Sequence, residues 1–264
     1  TSGNTAAIKL AQIFKEKKQE KSICVLEKSA EIGGHILSGN VFETTALDEL
    51  IPDWKEKNAP LNVPVKKDAI KFLLNDKLSI PVPSFLMPTM KNHGNYIISL
   101  ANLCRWLAEQ AESLGVDIFP GFPAAEIIYK EGKVAGVITG DMGKDSKGNE
   151  KDSFQPGMEI FANESTVFAE GCRGNLGKQL IKKFELDKGK DPQHYGIGFK
   201  EIWEVDNEHH SEGLVMHTNG WPLPDDTPGG SYMYHAENKQ VLLGLVVPLD
   251  LSLIHISEPT RRWS

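Results

Sequence analysis

A glycine at the start of an apolar helical pattern, followed by a short strand that closes on an acid, constrains this chain more than any other feature. Thr1-Ser2-Gly3-Asn4 runs into Ala6, Leu10, Ile13 and Phe14 at helical spacing, so residues 4–17 read as a helix with one buried face. Ile23-Cys24-Val25-Leu26-Glu27 then reads as a strand. Together they form the second half of a Rossmann-type dinucleotide-binding unit. The third glycine of its G-x-G-x-x-G turn permits close helix–strand packing, and the acid at the strand tip takes the ribose hydroxyls. The spacing from Gly3 to Glu27 slightly exceeds the usual ~20 residues, and the polar loop 15–22 absorbs the excess. The first strand and first two glycines of such a turn do not occur in the sequence. The chain is therefore expected to be a piece of a longer protein.

Composition excludes several classes. A net charge of −7 leaves no general basic character for a nucleic-acid partner. The longest apolar run, 241–247, is broken by Gly244 and falls far short of the ~20 residues of a membrane span. Cys24, Cys104 and Cys172 are isolated, so they build neither a disulfide framework nor a zinc or iron–sulfur site.

Further along, residues 32–39 form a glycine-punctuated loop, 42–51 a short helix closed by Pro52, and the proline-rich 58–88 a set of hairpin and extended segments. Ile97, Leu100, Leu103, Cys104, Leu107, Ala111 and Leu114 predict a helix over 96–114, stopped by Gly115. A strand at 116–119 and a meander at 125–129, 134–139 and 157–162 follow, with a hydrophilic loop at 140–156. Residues 165–169 predict a second buried strand, ending in the turn Glu170-Gly171-Cys172-Arg173-Gly174. Strands at 196–205 and 241–247 flank a loop at 207–230. Residues 251–264 continue no periodicity and read as a non-native tail.

Two strands that each end in a glycine turn, joined through a crossover and a meander, suit the long FAD molecule better than NAD. Taken alone, Glu27 reads equally well as a solvated strand-end acid; the turn at 170–174 shifts the balance toward the cofactor, since a plain strand-to-helix connection leaves its density of glycine unexplained. His35 and His93 sit in glycine-flanked loops and read best as loop histidines bonded to backbone, while His209-His210 reads as solvated. None has a partner at metal-ligand spacing. No G-x-S-x-G elbow or P-loop occurs. Pro228-Gly229-Gly230-Ser231 followed by Tyr232-Met233-Tyr234-His235 combines a bare backbone turn with aromatic surface, although locally it reads best as a hairpin turn entering an edge strand.

Several of these segments resemble the electron transfer flavoprotein–ubiquinone oxidoreductase family. They are Glu27 through Gly39, Pro52-Asp53-Trp54-Lys55-Glu56-Lys57, Met90 through Tyr96, Phe168-Ala169-Glu170-Gly171-Cys172, Tyr195-Gly196-Ile197-Gly198 and Gly229-Gly230-Ser231. The resemblance runs in register from about residue 1 to Asp250 and covers the N-terminal part of a family member. Pro228 departs from it, standing where the family usually has an aromatic.

That resemblance implies an α/β fold, a Rossmann-like FAD-binding domain interrupted by a smaller β-rich ubiquinone-binding domain. It implies electron transfer from reduced electron transfer flavoprotein to ubiquinone, with no side chain acting as a nucleophile. The implied FAD contacts are Gly3, Glu27, Lys28, Ser38, Gly39, Glu170 and Gly171, and the implied quinone contacts are Gly229 and Gly230. A 4Fe–4S cluster belongs to the family, with ligands absent from this chain. The implied setting is the matrix face of the mitochondrial inner membrane, or a bacterial membrane, through monotopic contact that includes part of 32–53. The expected domains are 1–62 and 96–187 for FAD, 63–95 as a cap or quinone-domain segment, and 188–250 for ubiquinone. The rivals are an FAD-dependent monooxygenase of similar fold and a truncated fragment without function.

Overall fold

The computed structural model describes residues 1–36, 40–224 and 227–249. Ser38 and Gly39, expected at the cofactor, and the tail 251–264 lie outside the described residues. The chain packs as two units, Thr1–Leu37 with Ala101–Asp191 and Ser38–Leu100 with Pro192–Ser264. Along the chain, the first is thus interrupted by part of the second.

In the first unit, α1 (Ser2–Glu16) buries Asn4, Ala7, Ile8 and Ala11, a face one step round from the expected Ala6–Leu10 stripe. The small side chains of Ala7 and Ala11 let the helix approach closely, which larger residues on that face would prevent. Next, β1 (Cys24–Glu27) pairs in parallel with β7 (Asp117–Pro120), Cys24 opposite Asp117 and Glu27 opposite Pro120. The crossover between them includes α3 (Leu100–Ser113), which buries Leu103, Cys104, Trp106, Leu107, Ala108 and Ala111. A meander follows, with β9 (Lys133–Thr139) between β8 (Ala124–Lys130) and β12 (Glu159–Phe161). Here α4 (Asn175–Phe184) seats Leu176, 1% exposed, against Ile127 and Val137.

Two expectations fail in this unit. The stretch 140–156 contains an antiparallel hairpin, β10 (Met142–Lys144) with β11 (Glu150–Gln155), whose polar faces give no apolar alternation to read. Residues 165–169 form no strand, and Val167 is 64% exposed. A strand is defined by its ladder, and no described strand pairs with this segment. Among the described strands β1 likewise pairs with β7 alone.

The second unit holds a three-stranded sheet and a six-stranded one. In the smaller, β6 (Tyr96–Ile98) lies between β2 (Asn40–Phe42) and β3 (Val63–Pro64), with α2 (Thr45–Leu50) beside it in sequence. Tyr96–Ile98 were expected to open the helix that in fact begins at Leu100. Sequence placed the divisions after residues 62, 95 and 187; packing divides the chain after 37, 100 and 191 because the 40–42 and 63–64 strands pair with 96–98. The larger sheet runs β13 (Gly196–Glu204), β16 (Gln240–Pro248), β15 (Gly230–His235), β14 (Leu214–Gly220), β4 (Lys67–Leu73) and β5 (Ser79–Pro81). All neighbours are antiparallel except β14 and β4. Strand β14 lies inside the expected 207–230 loop. Val63, Val65, Ile97, Val215, Tyr234, Ala236 and Leu242 form the core of this unit.

Candidate functional site

The dinucleotide half-motif keeps its expected local form. Gly3 lies in the first turn of α1, where a Cβ would already touch that of Ala169 at 3.6 Å. Thr1 precedes the helix without capping it through its side chain, so the first-turn N–H groups retain capacity for an anion. Nearby, Asn4 Nδ2 donates to the Cys104 carbonyl at 3.1 Å, tying the turn to α3. Glu27 ends β1, half-buried, and one carboxylate oxygen accepts the Ser29 N–H at 2.7 Å. That bond orients the acid at the strand tip, the place from which a ribose is bound. Lys28 beside it is exposed. A bare helix N-terminus and an oriented acid fit the pyrophosphate and ribose of a dinucleotide.

The second turn is built differently from its expectation. Gly171 adopts φ +79° and turns the chain back, and the Glu170 carboxylate folds onto the start of α4. It accepts the N–H groups of Gly177 at 2.8 Å and Leu176 at 3.3 Å. A Cβ on Gly174 would sit 2.6 Å from the Glu170 Cβ, so glycine there is what allows the cap. The density of glycine in 170–174 thus has a local cause in capping a helix whose Ncap residue has no side chain. In this structure Glu170 bonds to the helix through both oxygens.

In the second unit, Gly229 is exposed and Gly230 half-buried, at φ +148° and +152°. L-residues seldom adopt such angles. A Cβ on Gly229 would meet the Val246 carbonyl oxygen at 2.5 Å, and one on Gly230 would strike the Thr218 carbonyl. Three strands therefore crowd here, and bare backbone is a condition of the sheet as well as an opening for a flat ligand. The edge-strand expectation is corrected, since β15 lies inside the sheet between β16 and β14. On its other face, the Ser231 and Thr218 hydroxyls are hydrogen-bonded across the ladder.

Beyond the glycine pair, the aromatic surface expected on β15 is joined by a histidine from β14. Tyr232 and Tyr234 stack, with centroids 4.7 Å apart and planes at 21°. Tyr234 Oη lies 2.8 Å from His217 Nε2. Burial, then the neighbouring Tyr232, pushes the Tyr234 phenol up to about 12. Burial also lowers His217 below the usual imidazole range, against a smaller opposing pull from Asp68. Both groups are therefore neutral at pH 7. Strand alternation puts the two tyrosines on one face, but nothing in the sequence points to a histidine on another strand.

The remaining candidates do not gather. His35 and His93 are exposed loop residues. Cys24 and Cys172 are exposed, Cys104 is buried, and all three are free. Among the described residues no group of His, Cys, Asp or Glu could hold a metal ion. An open cleft of the first unit, about 370 Å³, is lined by Glu112, Gly115, Val116, Asp117, Ile118 and Phe119 and holds none of the expected residues.

Comparison with known proteins adds to this geometry. A family model described as "ETF-QO, ubiquinone-binding" matches residues 195–260, a span that includes β15. An electron transfer flavoprotein–ubiquinone oxidoreductase from Pseudomonas aeruginosa is 57% identical over 258 residues, covering 97% of this chain and 47% of the relative. The mitochondrial protein of that name from Mus musculus is 47% identical over 266 residues, covering 99% and 43%. Among solved structures, a geranylgeranyl bacteriochlorophyll reductase-like protein from Thermoplasma acidophilum superposes with a TM-score of 0.59 at 15% identity, covering 98% of this chain and 58% of its own. A flavoprotein/dehydrogenase from Cytophaga hutchinsonii gives 0.56 at 15% identity, covering 92% and 53%. At such identity these two speak to the fold alone, a mixed α/β architecture with a Rossmann-like domain. Over nearly its whole length the chain is therefore similar to proteins named electron transfer flavoprotein–ubiquinone oxidoreductase, and it spans about half the length of the curated relatives it matches.

Proposed function

We propose that this chain belongs to an oxidoreductase that takes electrons from reduced electron transfer flavoprotein and passes them to ubiquinone. What supports the reading most is the shared name of relatives matched at 45–57% identity over nearly the whole chain. The ubiquinone-binding family match from residue 195 adds to it. Because the chain spans about half of those relatives, the activity is that of a longer protein. The rival monooxygenase shares the fold, but the close sequence relatives do not carry that name.

On this reading the first unit binds FAD. Gly3 and the start of α1 face the pyrophosphate, and Glu27, with Lys28, takes the adenosine ribose. Glu170 and Gly171 form the second contact, with Ser38 and Gly39 as further contacts. FAD, once bound, supplies the redox chemistry, while the chain supplies position and surroundings. Gly229 and Gly230 offer bare backbone to the quinone head group. The 4Fe–4S centre implied by the family does not fit the three separated cysteines, so no electron step is assigned to it here. Its ligands would lie outside this chain.

Contact with a membrane surface is part of the proposal. Among the described residues no helix is long and apolar enough to cross a membrane. In the second unit, however, Phe72, Leu74, Leu78, Ile80, Phe85 and Leu86 are exposed along one stretch, Phe85 by 73%. This stretch offers more bare apolar surface than the described residues of 32–53 and is the better candidate for monotopic contact. The setting would be the matrix face of the mitochondrial inner membrane or a bacterial membrane.

The test is an assay of the full-length protein with reduced electron transfer flavoprotein as donor and ubiquinone as acceptor. Turnover with that pair is expected. Oxygen consumption driven by NADPH, without quinone reduction, would favour the monooxygenase instead. The 264-residue chain alone is expected to hold FAD weakly and to be inactive, because β1 finds only one described neighbour. Stoichiometric flavin surviving gel filtration would contradict that expectation.

A further inference from the structure

Alternate residues of β15 bring Tyr232 and then Tyr234 onto the sheet face that carries Gly230. Across the ladder His217 stands opposite Tyr232, and its Nε2 reaches diagonally to the Tyr234 hydroxyl at 2.8 Å. On the other side Gly244 stands opposite Tyr232, and a Cβ there would fall within the Tyr232 ring. The place of Tyr232 is thus set from two sides. Tyr234, pinned by His217, fixes the stack, and the missing side chain of Gly244 leaves room for the ring.

Packing alone does not account for His217. Its Nδ1 is buried with no hydrogen-bond partner, a cost that an apolar residue of similar size would avoid. Its Nε2 is bonded to the Tyr234 hydroxyl.

We propose that His217 is a positioning residue for the quinone head group: by holding the Tyr234 hydroxyl it fixes the Tyr232–Tyr234 stack as an aromatic wall beside the Gly229–Gly230 backbone. The inference rests on the reading of that glycine pair as the quinone contact. Tyr232 is the wall itself, half-buried and two positions from Gly230, whereas Tyr234 lies deeper at 8% exposure. A ring fixed before the ligand arrives need not be immobilised on binding, so its effect appears in quinone affinity. His217 does not touch the quinone in this scheme and carries neither proton nor electron.

The experiment uses the full-length holoprotein and a short-chain ubiquinone analogue, with KM, kcat, the dissociation constant of the oxidised analogue and flavin content measured together. His217→Leu is expected to raise KM and Kd about five- to tenfold, with kcat within about twofold and flavin content unchanged. His217→Gln, which keeps a hydrogen-bonding head, is expected to recover most of the affinity. Gly244→Ala displaces Tyr232 without touching His217, and its backbone is outside the left-handed region, so it tests the same wall if His217→Leu fails to fold. Its KM should rise similarly, and the double variant should be little worse than either single one, since both act through one ring. Unchanged Kd in His217→Leu and Gly244→Ala would overturn the role, as would a loss of kcat and flavin at unchanged KM. A photoactivatable ubiquinone separates the two levels. Failure to label the 229–234 peptide in the wild type defeats the quinone-site reading. Labelling there with unmoved affinities defeats only the positioning role.

Discussion

The Glu170 carboxylate accepts the Gly177 backbone N–H at 2.8 Å, so an acid seven residues upstream caps the helix that Gly174 opens without a side chain. Negative charge at that end also suits the helix dipole. Glu170→Ala is therefore expected to destabilise the first unit by about 1 kcal/mol, read as a lower urea midpoint at unchanged slope. An unchanged midpoint would free Glu170 from the capping role and leave it for the cofactor alone.

Glu27 offers the cleaner test of cofactor binding, since only one of its oxygens is used in orienting the residue on Ser29. In the full-length protein, Glu27→Ala is expected to weaken FAD binding by about 1.5–3 kcal/mol, through loss of charge-assisted bonds to the ribose. Turnover at saturating FAD should change little. Flavin fluorescence titration measures the affinity directly, and wild-type affinity in the variant would return Glu27 to a strand-end acid.

The tyrosine–histidine group predicts how the second unit responds to pH. Tyr234 is raised from 10.0 to about 12, so above pH 10 the unfolded chain loses a proton that the fold keeps. Its stabilising contribution is complete below pH 10 and falls by about 2–3 kcal/mol as pH rises to 12. On the acid side, His217 and His235 are both lowered, mainly by burial. Stability should therefore fall as pH drops below the unfolded imidazole value of about 6.5. Chemical denaturation across this range should show a flatter alkaline limb in Tyr234→Phe and a flatter acid limb in His217→Gln. Parallel limbs in variant and wild type would contradict the assignment.

Membrane contact through the 72–86 stretch predicts a vesicle-binding defect. Phe85→Asp with Leu86→Asp removes two large exposed apolar side chains and should weaken binding to phospholipid vesicles at least about tenfold. Soluble quinone analogues should still be reduced. Equal co-sedimentation of variant and wild type would place the membrane contact elsewhere.

The parts of this fold that were legible from sequence are those with local causes. Gly3, the α1 pattern and Glu27 lie within one helix–strand unit, and the meander announces itself by alternation around Glu131-Gly132. Tyr96–Ile98 escaped because a three-residue apolar strand leading into an apolar helix has no period of its own. Residues 165–169 carry strand composition, yet a ladder needs a neighbour that composition does not report. His217 escaped for a similar reason. It lies 17 residues from Tyr234, and only the antiparallel register of β14 and β15 brings them together. The glycine pair is legible in the sequence, whereas its crowding against the Thr218 and Val246 carbonyls depends on the pairing of three strands. That crowding means a bulky substitution at Gly230 would disturb the sheet as well as any quinone.

Photolabelling of the full-length, flavin-loaded protein with a short-chain azido-ubiquinone, followed by peptide mapping, measures directly where ubiquinone binds. The expected result is label within the peptide that carries Gly229, Gly230 and Tyr232, suppressed by excess ubiquinone. Competed label confined to peptides outside the second unit would contradict it.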